Sequence, residues 1–337
     1  MNRHPLYSLP AQTFSPPTIM EVGSIDRSRL KIKSHYPART LDAILIDDAN
    51  VHLGTGLVTN TNNRPVNETL YLNRAFHRDA NPIPTGTLTA HRSVGNTAAI
   101  VHNVKWANYY HFLIQTGVSL WLLARERPDW LAHLVMPPLP SNYQRLLALI
   151  GVPVPLTLPA ETTFAVNQAI LLETAYTRLA TRSGPLLRAY AQHLSAQVPR
   201  APAPTPRKLY ISRRDTARRR LANEAEIEAA FEAAGFESLT LEGTALETQI
   251  ALFRGAETIV APHGAGLANI IFAAPGTRII ELAPAAHLNP CFLDIARSAN
   301  HAYEMHVFET PAPALPHAFE WTIAPDYAAK LAAALAD

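Results

Sequence analysis

One segment of the chain has the residue types that suit an anion. It is apolar from Thr258 to Ala261, passes through His263, Gly264, Ala265 and Gly266, and continues from Leu267 into an apolar run that holds Asn269. Glycines let a backbone approach a ligand closely, and a helix start presents unpaired N–H groups with partial positive charge. Phosphate is the usual guest of such a turn. His263 could donate to a phosphate oxygen, or be satisfied by a backbone carbonyl. Two common phosphate loops do not fit. Asn269 stands where a dinucleotide fingerprint needs its third glycine, and the Gly-Lys-Ser/Thr of a P-loop is absent. By spacing alone the segment is equally a tight strand-to-helix turn with no ligand.

A second segment is basic. After the strand-like Leu209 to Ile211 come Ser212, Arg213, Arg214, Arg218, Arg219 and Arg220, five arginines within eight residues. Guanidinium groups bind phosphate through paired N–H donors and stay charged at any working pH. A solvated basic loop is the plainer reading. A nucleic-acid patch is disfavoured, because no aromatic residues alternate with these arginines and the net charge is only +2. Asn223 with Glu226 resembles a capping box for the next helix.

A third segment places Asn108, His111, Gln115 and Ser119 on one face of an otherwise apolar helix. Such a stripe is either a buried hydrogen-bonded seam or a cleft wall. A histidine there could act as general base for a sugar hydroxyl. Asn108 and Gln115 would then lie on the acceptor side. Glu281, read as the end of the strand from Thr277, could accept from both ribose hydroxyls or sit in a surface salt bridge. No metal is expected. There is no Asp-x-Asp, the neighbours Asp47 and Asp48 would point to opposite faces of a strand, and no His-x-x-x-His pair occurs. Arginines and a helix start could neutralise a leaving diphosphate instead.

These segments need a scaffold. At 337 residues, 48% hydrophobic and 17% charged, the chain reads as globular and as two domains. Its single cysteine, Cys291, allows no internal disulfide and fits a reducing cytoplasm. No apolar run reaches the roughly 20 residues of a membrane span, which leaves only peripheral contact with a membrane. Residues 1–40 are proline-rich and read as an arm. Residues 41–198 read as an N-terminal domain. It has strands at Ala43 to Ile46 and Val51 to Val58 around a polar turn, and a helix from Ala107 to Arg125. The proline-rich residues 199–206 read as a linker. From Lys208 onward strands and helices alternate with short loops, as in a parallel sheet covered by helices. That C-terminal domain is placed at residues 207–300. Residues 301–337 end in an alanine-rich helix and are expected to pack back on the N-terminal domain.

Taken in order, these marks resemble glycosyltransferase family 61, a group often labelled as capsular polysaccharide biosynthesis proteins. They are Asn108 to Phe112, then Tyr210 to Arg214 with Arg219 and Asn223-Glu224, then His263 to Asn269, then Ile280 to Leu282. The resemblance covers roughly residues 98–282. It implies an α/β, GT-B-like fold, two Rossmann-like domains with parallel sheets facing across a cleft. It further implies inverting transfer without a metal, usually from a UDP-sugar. Eukaryotic members work in the secretory pathway with a membrane anchor and disulfides. A chain without these fits a bacterial-type cytoplasmic member, with at most peripheral seating at the inner membrane, acting on a surface-glycan precursor. In that reading the donor side comprises Ser212, Arg213, Arg214, Arg219, His263, Gly264, Ala265, Gly266, Asn269 and Glu281, and His111 is the base. The expected partners are a nucleotide-sugar donor and a glycan acceptor, with no nucleic acid and no cofactor. Two other classes remain at this stage: a non-catalytic nucleotide-sugar binder and a nicotinamide-dependent oxidoreductase.

Overall fold

The computed structural model describes residues 2–26, 30, 32–62, 64–66, 69, 92–93, 98–100, 106–199, 205–310 and 318–336. Most of the expected linker, residues 200–204, lies outside them. The chain forms two compact units. The first is Met1–Gln12 with Pro37–Leu186, and the second is Thr13–Tyr36 with Leu187–Asp337.

The N-terminal residues are not an irregular arm. Asn2–Leu9 is a strand pairing antiparallel with Arg39–His52, and Thr18–Val22 is a strand pairing parallel with Ala302–Phe308. Both lie at sheet edges. Proline removes a ladder donor, so it suppresses central strands and is tolerated at edges. Pro5 falls at the register shift of the first pairing. A proline-rich sequence therefore hid two edge strands.

In the first unit, Arg39–His52 runs unbroken for 14 residues. The expected turn at Asp47 and Asp48 is instead an exposed stretch within the strand, where Asp48 takes φ 48°. Thr163–Leu172 and Leu57–Asn60 pair antiparallel with this strand, while Arg92–Ser93 and Ala98–Ile100 pair parallel with Thr163–Leu172. The sheet is thus mixed, and the expected parallel sheet is not found in this unit. Its core gathers Ile44, Val51, Leu53, Phe164 and Leu171.

The second unit holds the parallel sheet. Six strands lie in the order Glu237–Leu239, Lys208–Ile211, Thr258–Pro262, Arg278–Pro284, Ala302–Phe308, Thr18–Val22, all parallel. The central strands are mostly apolar, as burial of both faces requires, with Glu281 the buried exception; Ile259, Val260, Ile279 and Ile280 are fully buried. Helices Glu224–Ala233, Leu246–Gly255 and Cys291–Ala299 connect them. The C-terminal helix Pro325–Ala334 packs within this same unit. Its Ala328 and Ala332 join Ile227 and Phe231 of helix Glu224–Ala233, so this helix belongs to the core of the second unit. Asn223 is tied to this tail as well. Its amide donates to the Ile323 carbonyl at 2.8 Å and accepts from the Ile323 N–H at 3.2 Å. The side chain makes no capping bond to its own helix. Among the described residues no helix is long and apolar enough to cross a membrane.

Candidate functional site

Neighbouring parallel strands set the site. Lys208–Ile211 pairs with Thr258–Pro262, Tyr210 opposite Val260. Their carboxyl ends therefore deliver the loop from Ser212 and the turn at His263 side by side, where open α/β sheets bind ligands. The contact is direct. A Cβ on Gly264 would collide with the guanidinium of Arg213, and one on Gly266 would meet Leu241 Cδ1 at 2.7 Å. Gly264 is extended, at φ −166°, so it is glycine for space and not for conformation. These glycines admit protein side chains at the places where the sequence pattern suggests a ligand. The helix that follows, Ala265–Phe272, is a 3₁₀ helix beginning two residues earlier than expected.

Arg213 is anchored from both ends. Its backbone N–H donates to Glu224 Oε1 at 2.6 Å, and its Nη2 donates to the Arg218 carbonyl at 2.7 Å. Arg219 sits at φ 49°, its carbonyl accepting from Trp321 Nε1 at 3.0 Å. The Nε of each arginine is buried without a hydrogen-bond partner. Burial pushes the Arg213 guanidinium below its ordinary value, against the pull of Glu224 and Asp215. Burial first, and then repulsion by Arg213, brings Arg219 down to about 10. Two desolvated cations repelling one another, each with an orphaned donor, make a place that an anion would relieve.

The neighbours of this pair divide. Arg214 is spent on Glu228, at 2.9 Å. Ser212 is buried and shapes the loop, its hydroxyl accepting from the Arg214 N–H at 3.2 Å. Asn269 is fully buried and donates to Gln249 Oε1 at 2.8 Å, while Gln249 donates to the Thr244 carbonyl at 2.9 Å. Asn269 thus braces the loop bearing Leu241. A cavity of about 70 Å³ opens between Arg213, Asp215, Leu241, Pro262, Gly264 and Gly266. That is room for a phosphate-sized group, well below the roughly 300 Å³ at which pockets for whole small molecules begin.

Glu281 does not end its strand. The strand runs on to Pro284, and the carboxylate is fully buried. Oε1 pairs with Nδ1 of His263, and Oε2 accepts from the Tyr303 hydroxyl. Both oxygens are engaged inside the protein, which does not fit the ribose contact expected of Glu281. Burial, reinforced by Glu281, holds the Tyr303 hydroxyl well above its usual range, so it remains a donor. The His263 ring also packs on His287 and Phe292, with centroids 5.2 and 5.0 Å away. Sequence reasoning missed Tyr303 and Gln249. No local spacing joins them to their partners.

In the first unit, His111 opens a π-helical turn, His111–Thr116, that runs into helix Gly117–Glu126. Single π turns in helices are often found at functional sites. The Gln115 amide donates to the Thr177 carbonyl at 2.7 Å, which turns its oxygen to His111 Nδ1 at 2.6 Å. Nδ1 therefore carries the hydrogen, and Nε2 is the basic nitrogen. Ser119 donates to the Gln115 carbonyl at 2.7 Å. The seam is real over His111, Gln115 and Ser119. Asn108 stands apart from it, its side chain accepting from the Tyr110 N–H at 3.1 Å at the head of the helix. Among the described residues no three His, Cys, Asp or Glu side chains are grouped to hold a metal.

Compared with known proteins, residues 109–280 match the family model described as Glycosyltransferase 61. The match spans half of the chain, from the His111 helix to the strand that carries Glu281. No curated protein matches the chain.

Proposed function

The chain belongs to glycosyltransferase family 61 and is a glycosyltransferase, and on that premise we propose that Arg213 and Arg219 hold the diphosphate of a nucleotide-sugar donor. The observation that carries the reading is the arginine pair. Both guanidiniums are desolvated, neither has a counter-charge sufficient to offset its burial, and each keeps a buried Nε without a partner. A diphosphate supplies the missing charge and acceptors. The amides of Gly264 to Gly266 complete the cradle.

The reaction is a direct, inverting displacement. The acceptor oxygen bonds to the anomeric carbon as the bond to the diphosphate oxygen breaks, and the electron pair leaves with the nucleoside diphosphate. The acceptor proton passes to Nε2 of His111. The arginines stabilise the departing charge in the role a divalent cation takes elsewhere. A UDP-sugar is the donor in this proposal, a glycan of surface or capsular type the acceptor, and a GT-B arrangement the architecture. The cytoplasm, with at most peripheral seating at the inner membrane, is the proposed location.

The test is calorimetry with UDP. Arg213→Ala should abolish measurable binding, and unchanged binding would remove the diphosphate assignment. A thermal-shift screen of UDP-, GDP-, CMP- and TDP-sugars identifies the donor. A ligand at about 100 times its Kd stabilises by about 2.7 kcal/mol.

A further inference from the structure

Glu281 poses a charge problem that the proposed reaction does not use. Its carboxyl group has 0% of its surface exposed. Among the described residues no lysine or arginine pairs with it. Its partners are His263 Nδ1 and the Tyr303 hydroxyl. A lone charge at such a position is expensive, whereas an electroneutral pair is tolerated. Neutrality of the Glu281–His263 pair requires two protons over three places: the carboxylate, Nδ1 and Nε2. One proton lies on the axis between Oε1 and Nδ1. The second must then be on Nε2, whichever end of that axis holds the first.

From this we infer that Glu281 and Tyr303 are positioning residues that make Nε2 of His263 a fixed N–H donor, directed to an oxyanion and not to a hydroxyl. Tyr303 occupies the second carboxylate oxygen, so the carboxylate cannot turn away from Nδ1. The other groups around the ring are His287 and Phe292, with Cys291 and Asp294 on the same helix as Phe292. Nε2 takes no partner from any described residue. His263 directly precedes Gly264, on which the Arg213 guanidinium lies. We take this oxyanion to be the donor's diphosphate, and this part of the inference rests on the function proposed above. In a direct displacement the attacking oxygen and the leaving group occupy opposite sides of the anomeric carbon. A donor beside the arginine pair serves the leaving group, which separates His263 from His111 in role.

The experiment is nitrogen-15 histidine NMR of the full chain near neutral pH, with the His263 signals assigned by their loss in His263→Gln. Calorimetry with inorganic pyrophosphate and with UDP accompanies it. In the wild type, Nε2 of His263 should carry a proton, and its resonance should move when either ligand is added. In Glu281→Gln the amide oxygen accepts from Nδ1–H and nothing demands a second proton. Nε2 should then appear unprotonated, and affinity for pyrophosphate and UDP should fall about 10- to 100-fold, the loss of one charge-assisted hydrogen bond. An unprotonated Nε2 in the wild type overturns the inference without recourse to any variant. So does a Glu281→Gln chain with an unchanged Nε2 signal and unchanged affinity. A protonated Nε2 in a wild type that binds neither ligand overturns the diphosphate reading instead, and leaves the Glu281–His263 assignment standing.

Discussion

His111 and His263 are both fastened at Nδ1, and the fastening makes them opposites. His111 meets the oxygen of a neutral amide, Gln115, oriented by the Thr177 carbonyl. The pair needs one ring proton, and Nε2 is left as a base. His263 meets a fully buried carboxylate, which needs a compensating proton. One residue type becomes an acceptor in the first unit and a donor in the second because the atom behind it differs. The function of a histidine is set as much by its partner as by its own position.

The comparison can be broken at its strongest point first. His111→Ala should lower kcat by about 10²- to 10⁴-fold, the usual contribution of a general base, with UDP affinity intact by calorimetry. Near-normal turnover would move the base elsewhere, Asp47 and Asp48 being the next candidates. Stability separates the two settings next. Glu281→Leu strands His263 Nδ1 and the Tyr303 hydroxyl in the interior, and should cost about 3–5 kcal/mol in urea unfolding. Gln115→Leu removes a neutral partner from His111 and should cost only about 1–3 kcal/mol. Equal losses would mean that the carboxylate is no more committed than the amide.

A second buried carboxyl group, that of Glu224, provides the smallest and most selective test. Glu224 accepts from the Arg213 backbone N–H but is held above its ordinary range, chiefly by burial. A carboxyl group raised on folding favours the folded state fully below its unfolded value, here 4.5. That contribution is lost as pH rises through the raised value. Glu224→Gln keeps an oxygen for the N–H and cannot ionise. Its Tm relative to wild type should therefore improve between about pH 4.5 and neutrality, by no more than a few degrees. A difference that is constant with pH would show that the charge on Glu224 is not what burial penalises.

Much of the second unit was legible in the chain order. Alternating apolar runs and glycine stops placed Lys208–Ile211, Thr258–Pro262 and Arg278–Pro284 nearly to their ends. Parallel pairing then brought Arg213 to Gly264, as the spacing of basic loop and glycine turn suggested. What pattern could not show was occupancy. Gly264 and Gly266 are small for Arg213 and Leu241, and Asn269 is polar for Gln249. Glu281 looked like a strand-end carboxylate because a charged residue follows the apolar Ile279 and Ile280, although the strand continues through Leu282 and Ala283 to Pro284. Its partner Tyr303 lies on the next strand, and a cross-strand side-chain bond leaves no periodic trace. The first unit was less legible for a different reason. Antiparallel strands interrupted by Asp47 and Asp48 imitate a turn, and prolines mask edge strands.

The strand Thr18–Val22 has one more consequence. It leaves a ribosome long before its sheet neighbour among the described residues, Ala302–Phe308. A nascent chain must carry this strand unpaired until that neighbour has been made. A fragment cut at residue 187 would release the opposite problem, a bare Ala302–Phe308 border open to self-association. The second unit is thus a discontinuous folding module, stitched shut by its own beginning.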